Sequence, residues 1–570
     1  MQNKYTIVKE GKSEYTIVIS QEASPSERHA ASELQRFLYE ISGCRIPVVR
    51  DNQKVDGPMI LVGDSRILRS IGVDIDFKCL GDDGFVIKTA GPNLILAGGR
   101  LRGTLYAVYT FLEEKLGCRW YTSTVSYVPK MKEVVIEDVD EEQLPAFEYR
   151  EVFFTDAFDR DWAARNKVNG NSHRLDKAAG GKISYSHFVH TFYQLVPPEK
   201  YFDQHPEYFA LVNGERRREH AQLCLSNPDV LRIATETVFR WIKEDPDATI
   251  FSVSQNDWPG WCECERCKEI DEKEESHAGS LIHFVNKIAE KVAEKYPDKF
   301  IDTLAYTYTE KPPKFVKPHK NVIVRLCHMA PCCDSHPLTK CEKNARYVEN
   351  LKKWVKIANK VYIWHYVVNF AHYLLPFPNL NAIREDIRFY RDVGVKGIFC
   401  QGMYEEGGGG DFCELKAWLL AKLLWNPDAD FDALIDDFLR GYYGRAASPI
   451  RRYLDMINAK VIDDWIHIDL YSPPDIGYLT PDIIAQAEKY FDDAERLADN
   501  EEILERVKTA RISLQYAKLT SPYYAKLTIK DGYIQPERIE EYQELVKEFT
   551  CIVRKNGILR PVSYTHLTLP

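Results

Sequence analysis

The sequence predicts an α/β fold: a (β/α)8 TIM barrel preceded by a small α/β accessory domain and followed by a helical C-terminal region. Three observations carry this expectation. Between about 147 and 440, β-branched and aromatic runs alternate with amphipathic helical stretches, eight strand-like segments in all. Residues 1–143 form a separate α/β pattern ahead of the barrel at 144–440, and 441–560 reads as helix after helix. A chain of 570 residues has room for several cores of this kind.

In the first unit, 5–8 and 15–19 read as strands that pair with each other. Ser24-Pro25-Ser26-Glu27-Arg28 opens a helix, with Ser24 as cap and Pro25 in the first helical position. Ala30, Leu34, Leu38 and Ile41 make its apolar face. Strands at 59–62, 84–88 and 93–97 follow, then a glycine turn (98–103) leads into a helix over 104–116 that Gly117 ends. The turn lacks both the Gly-x4-Gly-Lys-Ser/Thr pattern and the dinucleotide spacing, so it is not read as a phosphate loop. This domain is expected to prop up the barrel.

The barrel strands are placed at 149–155, 186–190, 222–225, 249–254, 301–306, 321–327, 360–365 and 396–401. The clearest helices between them are 230–243, 280–295, 349–357 and 382–393. Beyond the barrel, 412–440 is helical, with Trp418, Leu419, Leu423 and Trp425 as a packing face. In 450–556, Thr480-Pro481 starts a helix, and Ile503, Val507, Ala510, Leu514 and Ala517 form one stripe. That stripe is packing surface, with a homo-oligomer through this region as one use of it. The last ten residues, 561–570, break the pattern and read as an artefact or a disordered tail.

Composition narrows the function. A formal net charge of −10 argues against nucleic acid or an anionic membrane as partner. The start, MQNKYTIVKEGK, lacks a secretory apolar core, and no run approaches the ~20 apolar residues of a membrane span, so a cytoplasmic location is expected. In a reducing compartment the 14 cysteines are thiols or metal ligands rather than disulfides.

The stretch TIFSVSQNDWPGWCECERC (249–267) is where chemistry is expected. A buried strand turns polar at Gln255-Asn256-Asp257, placing an amide and a carboxylate at a strand's carboxyl end beside Trp258 and Trp261. Cys262, Cys264 and Cys267 follow at chelating spacing, and Cys327, Cys332, Cys333, His336 and Cys341 offer a fourth donor. Two readings stay open: a structural zinc pinning the loop, or paired thiols without metal.

Several segments carry a family resemblance. GGRLRGTLYAVYTFLEEKLGCRWY (98–121) resembles the accessory domain that precedes the barrel in α-glucuronidases and β-hexosaminidases, and 205–230 resembles a segment of α-glucuronidase-like barrels. SVSQNDWPGWCECERC (252–267), LAYTYTEKPP (304–313), WHYVVNFAHYLLPFPNL (364–380) and ELKAWLLAKLLWNP (414–427) resemble the domain-of-unknown-function family 4838. Part of that family is classed as glycoside hydrolase family 163, endo-β-N-acetylglucosaminidases acting on complex N-glycans. The resemblance departs at Cys400-Gln401, where many members carry Glu.

What the resemblance implies is a glycan or oligosaccharide substrate and hydrolysis that requires no cofactor. Glycoside hydrolysis needs a proton donor and a group that stabilises an oxocarbenium-like transition state, and a 2-acetamido sugar supplies its own nucleophile. Asp257 would then be the acid, kept protonated by the surrounding indoles, and Asn256 would hold the acetamide. Tyr306, Tyr308, His328, His365, Tyr366 and Gln401, with Trp258 and Trp261, are the expected substrate-binding residues. Glu405 or Glu406, ahead of a Gly407–Gly410 lip, would supply any second carboxylate, with Asp156, Asp159 and Asp161 behind them. The leading expectation is acetamido-assisted, retaining hydrolysis of β-linked N-acetylhexosamine glycans. The alternatives are an α-glucuronidase-like exo-hydrolase gripping a uronate with Arg325, and a non-catalytic glycan-binding protein.

Overall fold

The computed structural model describes residues 3–329, 332, 335–405, 407–521, 527–530, 533–536 and 539–558. Cys333, Glu406 and the 561–570 tail lie outside the described residues. The N-terminal unit contains β1 (Lys4–Lys9), β2 (Thr16–Ile19), α1 (Pro25–Ser42), β3 (Val48–Arg50), β4 (Met59–Val62), β5 (Phe85–Ala90), β6 (Asn93–Gly98), α2 (Gly103–Thr110), β7 (Glu133–Glu137) and β8 (Asp140–Gln143). Six strands form one mixed sheet in the order β8-β5-β6-β4-β2-β3. The expected β1–β2 pairing does not occur. β2 is buried on both faces and takes β3 and β4 as parallel neighbours, while β1 pairs antiparallel with β7. A fully apolar strand favours parallel partners covered by helices over a hairpin at an edge.

The start of α1 is as expected. The Ser24 hydroxyl accepts from Glu27 N–H at 3.1 Å, and the Glu27 carboxylate accepts from Ser24 N–H at 2.6 Å, a reciprocal cap. The glycines at 98, 99 and 103 serve close packing: a Cβ at any of them would run into the backbone around Gly81–Gly84. Between them, Arg102 reaches the buried carboxylate of Asp83, which also accepts from Arg150 (2.7 Å) and Asn169 (2.9 Å) at the first strand of the next sheet. This joint locks the accessory unit to the central one.

The central unit is a curled parallel sheet of β9 (Tyr149–Phe153), β10 (Ile250–Ser252), β11 (Phe300–Ala305), β12 (Val322–Cys327), β13 (Lys360–Tyr366) and β14 (Gly397–Gln401), in the order β9-β14-β13-β12-β11-β10. Six strands thus make a half-barrel where eight were expected. Of the two missing strands, 186–190 contributes only hydrogen bonds beside β10, next to a Tyr185–Ile250 bridge, and Asn169 links Arg150 to Ile183. The 222–225 segment is not in the sheet at all. Leu223 pairs antiparallel with Phe209, and the polar Gln222 braces the loop after β10.

Helices α3 (Pro228–Glu244), α4 (Glu265–Glu274), α5 (Ala278–Lys295), α6 (Ala345–Ile357), α7 (Leu380–Val393) and α8 (Cys413–Trp425) accompany the sheet. The C-terminal region stacks α9 (Phe431–Tyr443), α10 (Ala447–Asp463), α11 (Pro481–Leu497), α12 (Glu501–Thr520) and α13 (Ile539–Lys555), with an unforeseen hairpin of Leu527–Lys530 and Tyr533–Pro536. The Val507, Ala510, Leu514 and Ala517 stripe of α12 is buried within the chain, where α12 packs against α11 and α13. Among the described residues no helix is long and apolar enough to cross a membrane.

Candidate active site

Successive side chains of a strand point to opposite faces, and this alternation decides which strand-end residues reach the inside of the curl. Leu304 and Tyr306, Cys327, Trp364 and Tyr366, and Gln401 point inward. With His190, Asp257 and Tyr404 they surround a cavity of about 260 Å³ at the carboxyl ends of the strands. Met329, Phe370 and Tyr471 close its outer wall, Tyr471 from the C-terminal region.

Asp257 is the one carboxylate lining this cavity among the described residues. The Tyr306 hydroxyl donates to its Oδ1 at 3.0 Å, and His190 Nε2 lies 3.8 Å away. Burial and the Asp257 carboxylate push the Tyr306 hydroxyl well up, so it stays a donor. The His190 ring is oriented by its Nδ1, which donates to the Gln255 carbonyl at 2.8 Å and leaves Nε2 facing Asp257. Gln401 Oε1 accepts from Trp364 Nε1 at 2.7 Å, holding its amide at the rim.

Asn256 and the two indoles do not do what was expected of them. Asn256 is 3% exposed; its amide donates to Ala221 O at 2.9 Å, and its backbone N–H donates to Gln222 Oε1. It holds the loop and is closed to a substrate. Trp258 donates to the same Ala221 carbonyl and packs on Tyr193 and His220. Trp261 and Tyr308 pack on each other and on His277, lining a separate cavity along α4. The side chain of Asp257 is 56% exposed, so no indole wraps it.

Alternation also removes His328 and His365, which face outward between strand and helices. Their Nδ1 atoms lie 3.1 Å apart beside Tyr390 and Tyr347, out of the cavity. Burial keeps both neutral, His365 down at about 3. Arg325 points inward but lies beneath the cavity, fully buried, paired with Asp302 at 3.3 Å and caged by Tyr149, Tyr185 and Phe399. It cannot grip a uronate. Glu405 does not line the cavity, and its carbonyl accepts from Thr155. Asp156 instead accepts from Ser123 and stands near Glu414, whose carboxyl is pushed up to about 7 by burial and by the Asp156 charge. Asp159 caps a short helix through Trp162 N–H, and Asp161 pairs with Arg160 and Arg165.

The three cysteines after Asp257 do converge, but with Cys224 rather than with the 327–341 group. The donors of Cys224, Cys262, Cys264 and Cys267 all lie within 4.8 Å of one another, and Cys224 and Cys264 sulfurs are 3.7 Å apart. Arg216 Nη1 sits 3.7 Å from Cys262 Sγ. Cys224 falls inside the segment expected as a barrel strand, which hides it from a reading by spacing. His190, Tyr404 and Tyr471 are equally hidden, because they come from loops far apart in sequence. No local signal marks Cys224, because Gln222-Leu223-Cys224-Leu225 is mostly apolar and reads as a strand.

Residues 120–455 match the family described as Domain of unknown function (DUF4838), and residues 4–111 match Glycosyl hydrolase family 67 N-terminus. No curated protein sequence matches the chain. Among solved structures, a family GH115 4-O-methyl-α-glucuronidase, BtGH115A, with specificity for decorated arabinogalactans, is similar over 98% of this chain and 78% of its own, at 13% identity and a TM-score of 0.60. A GH138 enzyme targeting pectin rhamnogalacturonan II aligns over 97% of this chain and 74% of its own, at 12% identity and a TM-score of 0.44. The first of these likenesses is one of fold. The N-terminal unit thus matches the family 67 N-terminus, and the overall fold resembles that of the GH115 structure.

Proposed function

The chain belongs to the DUF4838 family, and from that premise we propose that it is a glycoside hydrolase releasing a terminal sugar, in the manner of an α-glucuronidase-like exo-hydrolase. The observation that carries this reading is Asp257, held by Tyr306 in a small aromatic-walled cavity at the strands' carboxyl ends. Aromatic faces suit the apolar face of a sugar ring. A cavity of about 260 Å³ falls just under the ~300–1,000 Å³ of usual ligand pockets, a size for one terminal residue.

Asp257 gives a proton to the departing glycosidic oxygen as that C–O bond breaks, while a water molecule adds to the anomeric carbon and loses its own proton to solvent. The His190 ring stands 3.8 Å from Asp257 on the same wall. A retaining displacement by a second carboxylate would need a partner ~5–5.5 Å away, and the described lining holds none. The α-glucuronidase direction is favoured by the fold likeness and by the family 67 N-terminal unit. A uronate would meet the hydroxyls of Tyr306 and Tyr366 and the His190 ring.

A second reading, acetamido-assisted hydrolysis of β-linked N-acetylhexosaminides, is favoured by Asp257 being the one carboxylate of the described lining, since there the sugar's acetamide replaces the carboxylate nucleophile. It is disfavoured by Asn256, whose amide is already occupied. Nitrophenyl and natural α-glucuronides, run beside N-acetylglucosaminides and a glycan-binding assay, test the choice. Turnover of the glucuronides is expected. Turnover confined to N-acetylglucosaminides would sink the first reading, and binding without turnover would make the protein a lectin on an enzyme scaffold.

No cofactor is called for in the chemistry. The Cys224, Cys262, Cys264 and Cys267 set is read as a structural zinc site. Tetrahedral zinc with Zn–S of ~2.3 Å sets its sulfurs ~3.8 Å apart, close to the 3.7 Å between Cys224 and Cys264, whereas a disulfide would bring them to ~2.05 Å. Arg216 offsets part of the thiolate charge, and the ion would pin the loop that carries Asp257. Cys224→Ser is expected to lose this zinc.

A further inference from the structure

A second four-donor set lies on the other side of the cavity. Cys332, His336 and Cys341 come from the loop after β12, and His467 from the segment between α10 and α11. All four donors lie within 4.8 Å of one another. Cys332 Sγ is 3.2 Å from His336 Nδ1 and 3.0 Å from His467 Nδ1, and Cys341 Sγ is 3.8 Å from His467 Nδ1. We propose that these residues form a second structural zinc site, and that the ion fastens the 465–472 segment in place as the outer wall of the candidate active site.

The chemistry fits zinc. Two thiolates and two imidazoles are a tetrahedral Cys2His2 donor set, with S···N edges of ~3.6 Å expected for Zn–S ~2.3 Å and Zn–N ~2.0–2.1 Å. Two thiolates neutralise a divalent ion, so a buried site carries no net charge, and Cys332, His336 and Cys341 are all buried. A chain of ordinary hydrogen bonds needs only neighbouring pairs close together; here every donor approaches every other. The outer shell is also built. Ser335 Oγ lies 3.1 Å from Cys332 Sγ and accepts from Ile468 N–H at 3.0 Å, tying one donor segment to the other. Asn344 bonds both the N–H and the carbonyl of Cys332, and the His336 ring packs at a tilt on Trp465, centroids 4.1 Å apart.

The position gives the ion a task. Residues 464–480 carry neither helix nor strand, a connection longer than the ~12–15 residues usual without some anchor. That segment delivers Tyr471 to the cavity, and Leu470 O accepts from Phe370 N–H at 2.7 Å. Met329 of the same wall stands just before the Cys332 loop. Of the three segments in that wall, the four donors thus join the two that carry Met329 and Tyr471.

The test uses the full chain, grown with added zinc and purified without chelator. Two zinc ions per chain are expected by mass spectrometry, and one in His467→Ala, a substitution on a half-buried loop residue. Against a competing chromogenic chelator, the zinc lost in His467→Ala should be held at least about 100-fold more weakly than in the wild type. Cobalt-loaded Cys224→Ser should show tetrahedral d–d bands with charge transfer from two thiolates, the signature of this site alone. Limited proteolysis within 465–476 should speed up at least about tenfold in His467→Ala. Equal zinc content and chelator resistance in wild type and His467→Ala would overturn the site, as would cobalt-loaded Cys224→Ser without tetrahedral bands. Zinc loss with unchanged proteolysis would overturn the wall-fastening role. None of these readouts depends on glycoside turnover, so failure of the proposed activity leaves them intact.

Discussion

The Tyr306 hydroxyl donates to Asp257 Oδ1 at 3.0 Å, joining the residue just after β11 to the loop after β10. It ties the proposed acid, Asp257, to the neighbouring strand end. Asp257→Asn keeps the geometry and removes only the proton. Turnover of unactivated substrates should fall ~10²–10⁴-fold, about 3–5 kcal/mol of barrier, with glycan binding largely kept. Nitrophenyl substrates need less protonation and should lose less. Equal losses on the two substrate types would show that Asp257 is not the acid. Tyr306→Phe removes the hydrogen bond that orients Asp257 and should cost kcat/KM about 2–10-fold.

Asn256→Ala separates a structural amide from a catalytic one. Its side chain donates to Ala221 O and is shut away from the cavity, so the loss should appear in stability, by about 1–3 kcal/mol in urea unfolding. Activity should drop by one common factor on every substrate. A loss confined to acetamido sugars would restore Asn256 to the chemistry.

Much of this arrangement was legible in the sequence, because it rests on local signals. The Ser24 cap, the six strands of the curled sheet and the position of Asp257 past a buried strand follow from periodicity and turn residues alone. Strand alternation was readable too: in Trp364-His365-Tyr366 the histidine must face away from its neighbours. What sequence could not show is which distant loops meet. Cys224 joins Cys262 only because the chain between them folds back on itself, and His467 reaches Cys332 from another region altogether. Likewise the mostly apolar 222–225 run reads as a strand, and only the fold shows Leu223 pairing with Phe209 outside the sheet.

Asp83→Ala should be among the costliest single changes in the accessory unit. Burial alone would raise its carboxyl, but Arg102 and Arg150 outweigh burial and hold it below the usual carboxylate range. Removing it leaves two buried guanidiniums without their shared anion, a loss of about 3–5 kcal/mol. Chemical unfolding measures this directly. A change under about 1 kcal/mol would mean that the joint between the two units is not held by this triad.

Glu414 gives the fold a pH dependence of definite sign. Its carboxyl is raised to about 7, by burial first and then by the Asp156 charge. Asp156 accepts from both the N–H and the hydroxyl of Ser123, which fixes its carboxylate beside Glu414. Between the ordinary value of 4.5 and about 7, the folded chain holds a proton here that the unfolded chain has released. The contribution to stability is therefore full below 4.5 and disappears as pH rises through about 7. Glu414→Gln keeps the neutral shape and cannot ionise. It should match the wild type near pH 4.5 and exceed it by about 1–3 kcal/mol at about pH 8, one pKa unit being worth ~1.4 kcal/mol. Thermal unfolding of both proteins across that pH range provides the comparison. Parallel curves would show that Glu414 does not titrate between folded and unfolded states there.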